Sequence, residues 1–317
     1  MTPGPVGSDR GPASSNPAGR EAAAKPPTPQ GAGLRCLKTR AGAEYPLPLF
    51  MPVYQSNSAL IPVHGERADC EIDACMVNAY FLYKNREMRQ RFRGGLTLRE
   101  YLDFPRLLMT DSGAFQGFAR KLLLSNAAII KFQEQIRTDI ASPLDLVTPP
   151  GDSRSVAEQK AEATLKRVAE GLRHVEHSLL TGVQQGGRFL ELRKRCLERL
   201  MELDCKYLAL GSLVPFFTRN HDLVFVGRVI REARSVAGGD VPIHVYGAGD
   251  PCELPLMAAL GADVFDSSSY VHFARHGSYM TPYGALPDAA RLLAGEYRCA
   301  CPTCRRVAGP QEVFDDV

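Results

Sequence analysis

The sequence predicts an α/β fold: a (β/α)8 TIM barrel carrying a small, truncated C-terminal zinc-binding subdomain. Three observations lead there. Short apolar runs alternate with amphipathic helical stretches, eight such runs can be counted, and nearly every run ends in a polar or glycine-bearing cluster. Strands alternating with helices imply βαβ units and a parallel sheet. A doubly wound open sheet gives a similar alternation but concentrates its reactive residues at one switch point, whereas a barrel spreads them over all strand ends at one mouth. The spread seen here favours the barrel.

The eight runs are 49–54, 74–79, 107–110, 144–148, 180–184, 207–210, 243–246 and 263–266. Each is brief and apolar, as expected of parallel strands covered on both faces. Three helical stripes lie between them. Ile129, Phe132, Ile136 and Ile140 form one; Ala161, Leu165, Val168, Leu172 and Val175 another; Phe189, Leu192, Cys196, Leu200 and Leu203 a third. Ser155-Val156-Ala157-Glu158 reads as a capping box at the start of the second.

Composition bounds the rest. At 317 residues and 44% hydrophobic, the chain can fill the core of a single barrel. A net charge of +3 permits a nucleic-acid partner without arguing for one. No apolar run is long enough to span a bilayer. Residues 1–33 are rich in Pro, Gly, Ala and Ser, lack the apolar core of a secretory signal, and read as a disordered tail. Residues 34–290 are then the barrel, and 291–317 a partial zinc-binding segment. Nine cysteines, six scattered and three clustered, suggest reduced thiols and a metal site, and hence a cytoplasmic protein. Cys299, Cys301 and Cys304 give C-x-C-x-x-C, a spacing that can wrap one structural Zn2+; the fourth ligand is not identified.

Asp111 and Asp266 each stand where an apolar strand gives way to small residues. Paired carboxylates suit glycosyl chemistry, one acting on the sugar and the other moving a proton. Either alone reads as well as a helix cap. With Asp145 added, capping would have to occur independently three times, and catalysis becomes the better reading. Gln184-Gln185, inside Gly182–Gly187, suits the edge of a nucleobase, because a primary amide offers both donor and acceptor.

Taken together, these motifs resemble the tRNA-guanine transglycosylase family, in particular its archaeal-type branch. The resemblance runs from about Leu34 to Cys304. It rests on Asn78-Ala79-Tyr80, Thr110-Asp111-Ser112-Gly113-Ala114-Phe115-Gln116, the segment from Pro143 to Pro150, Gly182-Val183-Gln184-Gln185-Gly186-Gly187, His244-Val245-Tyr246-Gly247-Ala248-Gly249, Leu260–Ser268 and the cysteine cluster. It implies exchange of a guanine in nucleic acid for a 7-deazaguanine base, with 7-cyano-7-deazaguanine expected over queuine. Asp266 would be the nucleophile that forms a covalent glycosyl-enzyme, and Asp111 the general acid/base. Asp145, Gln185 and the Gly211 backbone would read the base, with Ser112 and Tyr246 in the pocket. The target guanosine must be unstacked to enter such a pocket. The family's fourth zinc ligand, a downstream histidine, and its C-terminal RNA-binding domains have no counterpart in this sequence. Three readings follow: base exchange on tRNA, the same exchange on DNA or a small nucleoside, or a non-catalytic partner subunit. Retention of all three carboxylates argues against the last. The resemblance also allows a homodimer.

Overall fold

The computed structural model describes residues 35–54, 72–114, 124–218 and 221–286, together with Arg291 and Tyr297, all within one unit spanning Leu34–Val317. Two short strands, β1 (Cys36–Lys38) and β2 (Glu44–Pro46), form an antiparallel hairpin. The main sheet follows with β3 (Leu49–Tyr54), β4 (Ala74–Asn78), β5 (Leu107–Asp111), β6 (Ile140–Ala141), β7 (Leu179–Leu180), β8 (Gly182–Gln184), β9 (Leu208–Leu210), β10 (Ile243–Val245) and β11 (Val264–Ser267). Its order is β7-β6-β5-β4-β3-β11-β10-β9-β8, with every pairing parallel. The two ends of that order are consecutive pieces of one stretch of chain, interrupted at Thr181. Thr181 N–H donates to Ala141 O at 2.9 Å, and Gly182 N–H to Tyr207 O at 2.8 Å, so this stretch pairs with β6 and then turns to pair with β9. The sheet therefore wraps into a nearly closed, barrel-like ring; nine strands, two of them sharing one stave, make eight staves. Strands β12 (Tyr279–Thr281) and β13 (Gly284–Leu286) form a separate antiparallel pair.

Helices supply the crossovers that parallel neighbours require. They are α1 (Ala79–Lys84), α2 (Arg86–Arg93), α3 (Leu98–Leu102), α4 (Asn126–Gln135), α5 (Arg154–Leu172), α6 (Leu190–Glu202), α7 (Val214–Thr218), α8 (Leu223–Ala237), α9 (Leu254–Ala259) and α10 (Ser269–Arg275). The core has two parts. Leu108, Val77, Leu180, Leu208, Val245 and Phe265 face the helices, whereas Leu107, Met109, Met51, Met76, Ile140, Tyr207 and Val264 fill the barrel interior. Successive strand residues alternate between these two parts, as a period of two demands. That parity aims the site. Asp111 shares the inward set of Leu107 and Met109, and Asp266 that of Val264.

Several expectations shift. Residues 144–148 form no strand; the strand is β6, and their amides turn to side chains instead of a neighbouring strand. Leu144 N–H donates to Asn126 Oδ1, Leu146 N–H to Thr164 Oγ1 and Thr148 N–H to Ser212 Oγ, each at 2.9 Å. With prolines at 143, 149 and 150, this stretch has no free ladder to offer. Asp145 thus sits in the loop beyond a strand rather than at its end. Ile136 caps α4 and Ile140 belongs to β6, so one expected stripe joins two elements. Helix α5 starts two residues earlier than the expected capping box, with Ser153 Oγ accepting from Val156 N–H. No helix among the described residues is long and apolar enough to cross a membrane.

Candidate active site

Strand parity and strand ends bring the carboxylates to one mouth. Asp111 is the last residue of β5, in register with Asn78 at the end of β4. Asn78 Nδ2 donates to Asp111 Oδ2 at 3.1 Å, while Asn78 Oδ1 caps α1 through Phe81 N–H at 3.3 Å. One short side chain therefore ties a helix start to a site carboxylate. Burial raises the Asp111 pKa to about 7, the neighbouring charges of Asp145 and Asp266 push the same way, and the Gly113 and Ser112 amides oppose them. Asp111 is consequently a carboxyl group that holds or releases a proton near neutrality, although it keeps part of its surface open to the mouth.

Asp145 is poised beside Gln185. Burial raises its pKa to about 6, and the hydrogen bond from Gln185 and the charge of Arg167 restrain that rise. Gln185 Nε2 donates to Asp145 Oδ2 at 2.5 Å. The Gln185 carbonyl accepts from Thr148 Oγ1 at 2.6 Å and Ser212 Oγ at 2.7 Å. Those contacts fix the amide's orientation, with Nε2 turned toward Asp145. Beneath them lies Arg193 of α6, fully buried, which donates to Gly187 O at 2.7 Å, Gln184 Oε1 at 2.9 Å and Gly211 O at 3.1 Å.

Asp266 is 7% exposed. Its Oδ1 accepts from Gly247 N–H at 3.0 Å. Gly247 takes φ +75°, and a Cβ there would meet Val214 Cγ2 at 2.5 Å, so only glycine presents that amide without strain. Ser112 is buried, and its hydroxyl has no hydrogen-bond partner among the described residues. Tyr246 places its hydroxyl 3.2 Å from Ser142 Oγ, and burial, with the charges of Asp145 and Asp111, keeps it protonated far above its usual range.

Of the residues expected from sequence, Asp111, Asp145, Asp266, Gln185, Ser112 and Tyr246 all lie at the ends of the inward-facing staves or in the loops that follow them. Gly211 does so differently than expected. Its N–H donates to Gln184 O at 3.0 Å and its carbonyl accepts from Arg193, so its amide is spent within the sheet. Its lack of a side chain is what matters, because a Cβ would stand 2.5 Å from Gln185 Nε2. The next amide, of Ser212, carries no hydrogen bond among the described residues, and Ser212 sits at φ +58°. Thr148 and Ser212, which orient Gln185, carry no assigned role in the sequence reading; a serine straight after a strand-end glycine was the available signal. Cys299, Cys301 and Cys304 lie outside the described residues, among which no group of three or more His, Cys, Asp or Glu is placed to hold a metal ion.

A parallel barrel with two inward strand-end carboxylates, and a third in the loop beside them, belongs to the class of proteins that work on a ligand held over the strand ends. The model of the queuine tRNA-ribosyltransferase family matches residues 31–309, and the chain belongs to that family. Among its relatives are proteins named tRNA-guanine(15) transglycosylase. That of Methanopyrus kandleri is 35% identical over 268 residues, covering 84% of this chain and 57% of the relative. The Korarchaeum cryptofilum protein is 34% identical over 281 residues (86% and 46%), and the Pyrococcus furiosus protein 32% over 275 residues (86% and 45%). The chain thus spans about half the length of the curated relatives it matches.

Proposed function

We propose that this chain is a transglycosylase that exchanges a guanine of tRNA for a 7-deazaguanine base such as 7-cyano-7-deazaguanine. The observation that carries the reading is the division of labour among the three carboxylates. Asp111 is raised to about 7, which suits a proton carrier, beside a buried Asp266 anchored by a backbone amide. The names of the archaeal relatives support tRNA as the acceptor. An oxygen of Asp266 bonds the sugar C1′ as the bond from C1′ to guanine breaks, and Asp111 delivers its proton to the departing base. Asp111 then takes a proton from the incoming base, which displaces Asp266 from C1′. Two displacements retain the sugar configuration. Asp145 accepts from the N1–H and exocyclic amine of the base, and Gln185 offers its remaining N–H to the other edge.

Cys299, Cys301 and Cys304 give three thiolate donors, a set that suits a structural zinc, which would fold the C-terminal segment. No step of the exchange runs through it. The setting is the cytoplasm, where the free thiols of Cys75, Cys196 and Cys205 stay reduced.

The test supplies labelled 7-cyano-7-deazaguanine together with bulk tRNA or duplex DNA and measures which polymer gains label. Label in tRNA is the expected result; label in DNA alone, or in neither, overturns the acceptor. Asp266→Asn is expected to keep the fold and lose both guanine exchange and any covalent adduct, and exchange at the parental rate would sink the nucleophile. Elemental analysis of the purified chain checks the metal, with one zinc per chain expected.

A further inference from the structure

Two nitrogens converge on a single oxygen of Asp266. Gly247 N–H reaches Oδ1 at 3.0 Å, and His244 Nε2 stands 2.9 Å from the same atom. The second contact is close but off the line of a hydrogen bond, so Nε2 is a fully buried nitrogen without a hydrogen-bond partner among the described residues. Such a nitrogen is costly to leave unsatisfied. No hydrogen bond reaches Asp266 Oδ2 among the described residues.

Behind the imidazole lies Tyr207. Its hydroxyl is 2.9 Å from His244 Nδ1, and both side chains are wholly buried in the barrel interior. Burial holds the Tyr207 phenol protonated, since it pushes the pKa well above the usual tyrosine range. Among the described residues its one other acceptor is the thioether of Met109, weak and 3.9 Å away. The phenol therefore donates to Nδ1. Nδ1 then has no hydrogen of its own, and the ring hydrogen sits on Nε2, facing the carboxylate.

We propose that His244 is a positioning residue for Asp266, set by Tyr207, which together with the Gly247 amide holds Oδ1 and leaves Oδ2 to bond the sugar C1′. This inference rests on the reading of Asp266 as the nucleophile. In the first displacement the C1′–Oδ2 bond forms as the bond to guanine breaks. The bonding pair and the Asp111 proton leave with the base. Oδ1 is then the carbonyl oxygen of a glycosyl ester, still under its two donors. In the second displacement the incoming base, deprotonated by Asp111, bonds C1′ as C1′–Oδ2 breaks. The pair returns to the carboxylate, whose growing charge the Gly247 and His244 N–H groups stabilise.

The experiment compares His244→Gln and His244→Asn in labelled guanine exchange with bulk tRNA. Glutamine's amide nitrogen can take the place of Nε2; asparagine's amide falls short of it. Melting temperatures confirm that each variant folds. H244N is expected to lose about 10²-fold in kcat, the scale of a misplaced reacting group, with KM for guanine unchanged and covalent adduct forming slowly. H244Q is expected to recover most of that loss. Tyr207→Phe, which leaves the histidine in place, should lower kcat in the same direction. Parental kcat in H244N, or a loss that H244Q does not restore, would overturn the proposal. Asp266→Asn run in parallel separates the two levels: an inactive D266N beside a fully active H244N refutes the histidine's role alone, whereas an active D266N refutes the nucleophile itself.

Discussion

At the scale of single residues, the barrel holds carboxylates out of water where charge is unfavourable, and stability should record it. Asp111 has a folded-state pKa raised from 3.8 to about 7. The folded protein therefore binds the proton more tightly than the unfolded chain. The sign follows: stability from this group is fullest below about pH 4 and falls as pH rises through 7. Asp111→Asn is accordingly expected to stabilise the protein by up to about 4 kcal/mol at pH 8, with the gain vanishing toward pH 4, while abolishing the proposed exchange. Urea unfolding at both pH values checks it; an equal effect at both would show that Asp111 is not the group strained by burial. On the proposed mechanism base release draws on the protonated Asp111, so it should slow as pH rises through about 7, read by single-turnover kinetics. Sequence made Asp111 and Asp266 legible because an aspartate where an apolar run gives way to small residues is conspicuous; Asp145, inside the run 144–148, stands out only as a third carboxylate beside them. It left Thr148, Ser212, Tyr207 and the role of His244 unread. Their significance lies in what they touch, and beyond the strand-end glycine before Ser212 nothing local announces it.

At the scale of elements, the loop after β6 holds Asp145, and its shape depends on a buried glutamine of α4. Gln133 Oε1 accepts from Thr110 Oγ1 at 2.7 Å and Ser142 N–H at 2.9 Å, while its Nε2 donates to Ser142 O at 2.8 Å. One amide thus joins β5, α4 and the start of the loop, in place of a longer strand. Gln133→Met keeps the volume and strands both Ser142 backbone groups. It is expected to cost about 2–4 kcal/mol in urea unfolding and to raise KM for guanine by loosening Asp145. A stability loss below about 0.5 kcal/mol would mean that water replaces the amide. Here the sequence misled in an instructive way. The brief apolar run 144–148 reads as a strand, and apolar burial does occur at Leu144. What decides is where the backbone amides find partners, and side chains of α4, α5 and the loop after β9 claim them first.

At the scale of the whole molecule, the two ends of the barrel use aspartate differently. Asp263 precedes β11 at the end opposite the mouth and pairs with Arg234 and Arg35, while its Oδ2 accepts from Ile243 N–H at 2.8 Å. Asp139, before β6, does likewise with Arg99 at 3.0 Å and Leu108 N–H at 2.8 Å. These groups lock strand starts together, the end where a barrel invests in stability. Asp263→Asn is expected to cost about 2 kcal/mol, since it takes the charge from a buried carboxylate that holds two part-exposed guanidinium groups and the Ile243 amide. Exchange kinetics measured well below the melting temperature should stay unchanged, and a fall in kcat without a fall in stability would contradict this division. By itself, the sequence determined the strand–helix alternation, the inward parity that follows from a period of two, and the carboxylates at strand ends, all properties of near neighbours along the chain. Tertiary structure decided what depends on distant partners. It broke the stave at Thr181 to close the ring, placed Asp145 in a loop and spent the Gly211 amide inside the sheet. It also set a buried histidine against Asp266, because hydrogen-bond partners and burial are settled only when residues far apart in sequence meet.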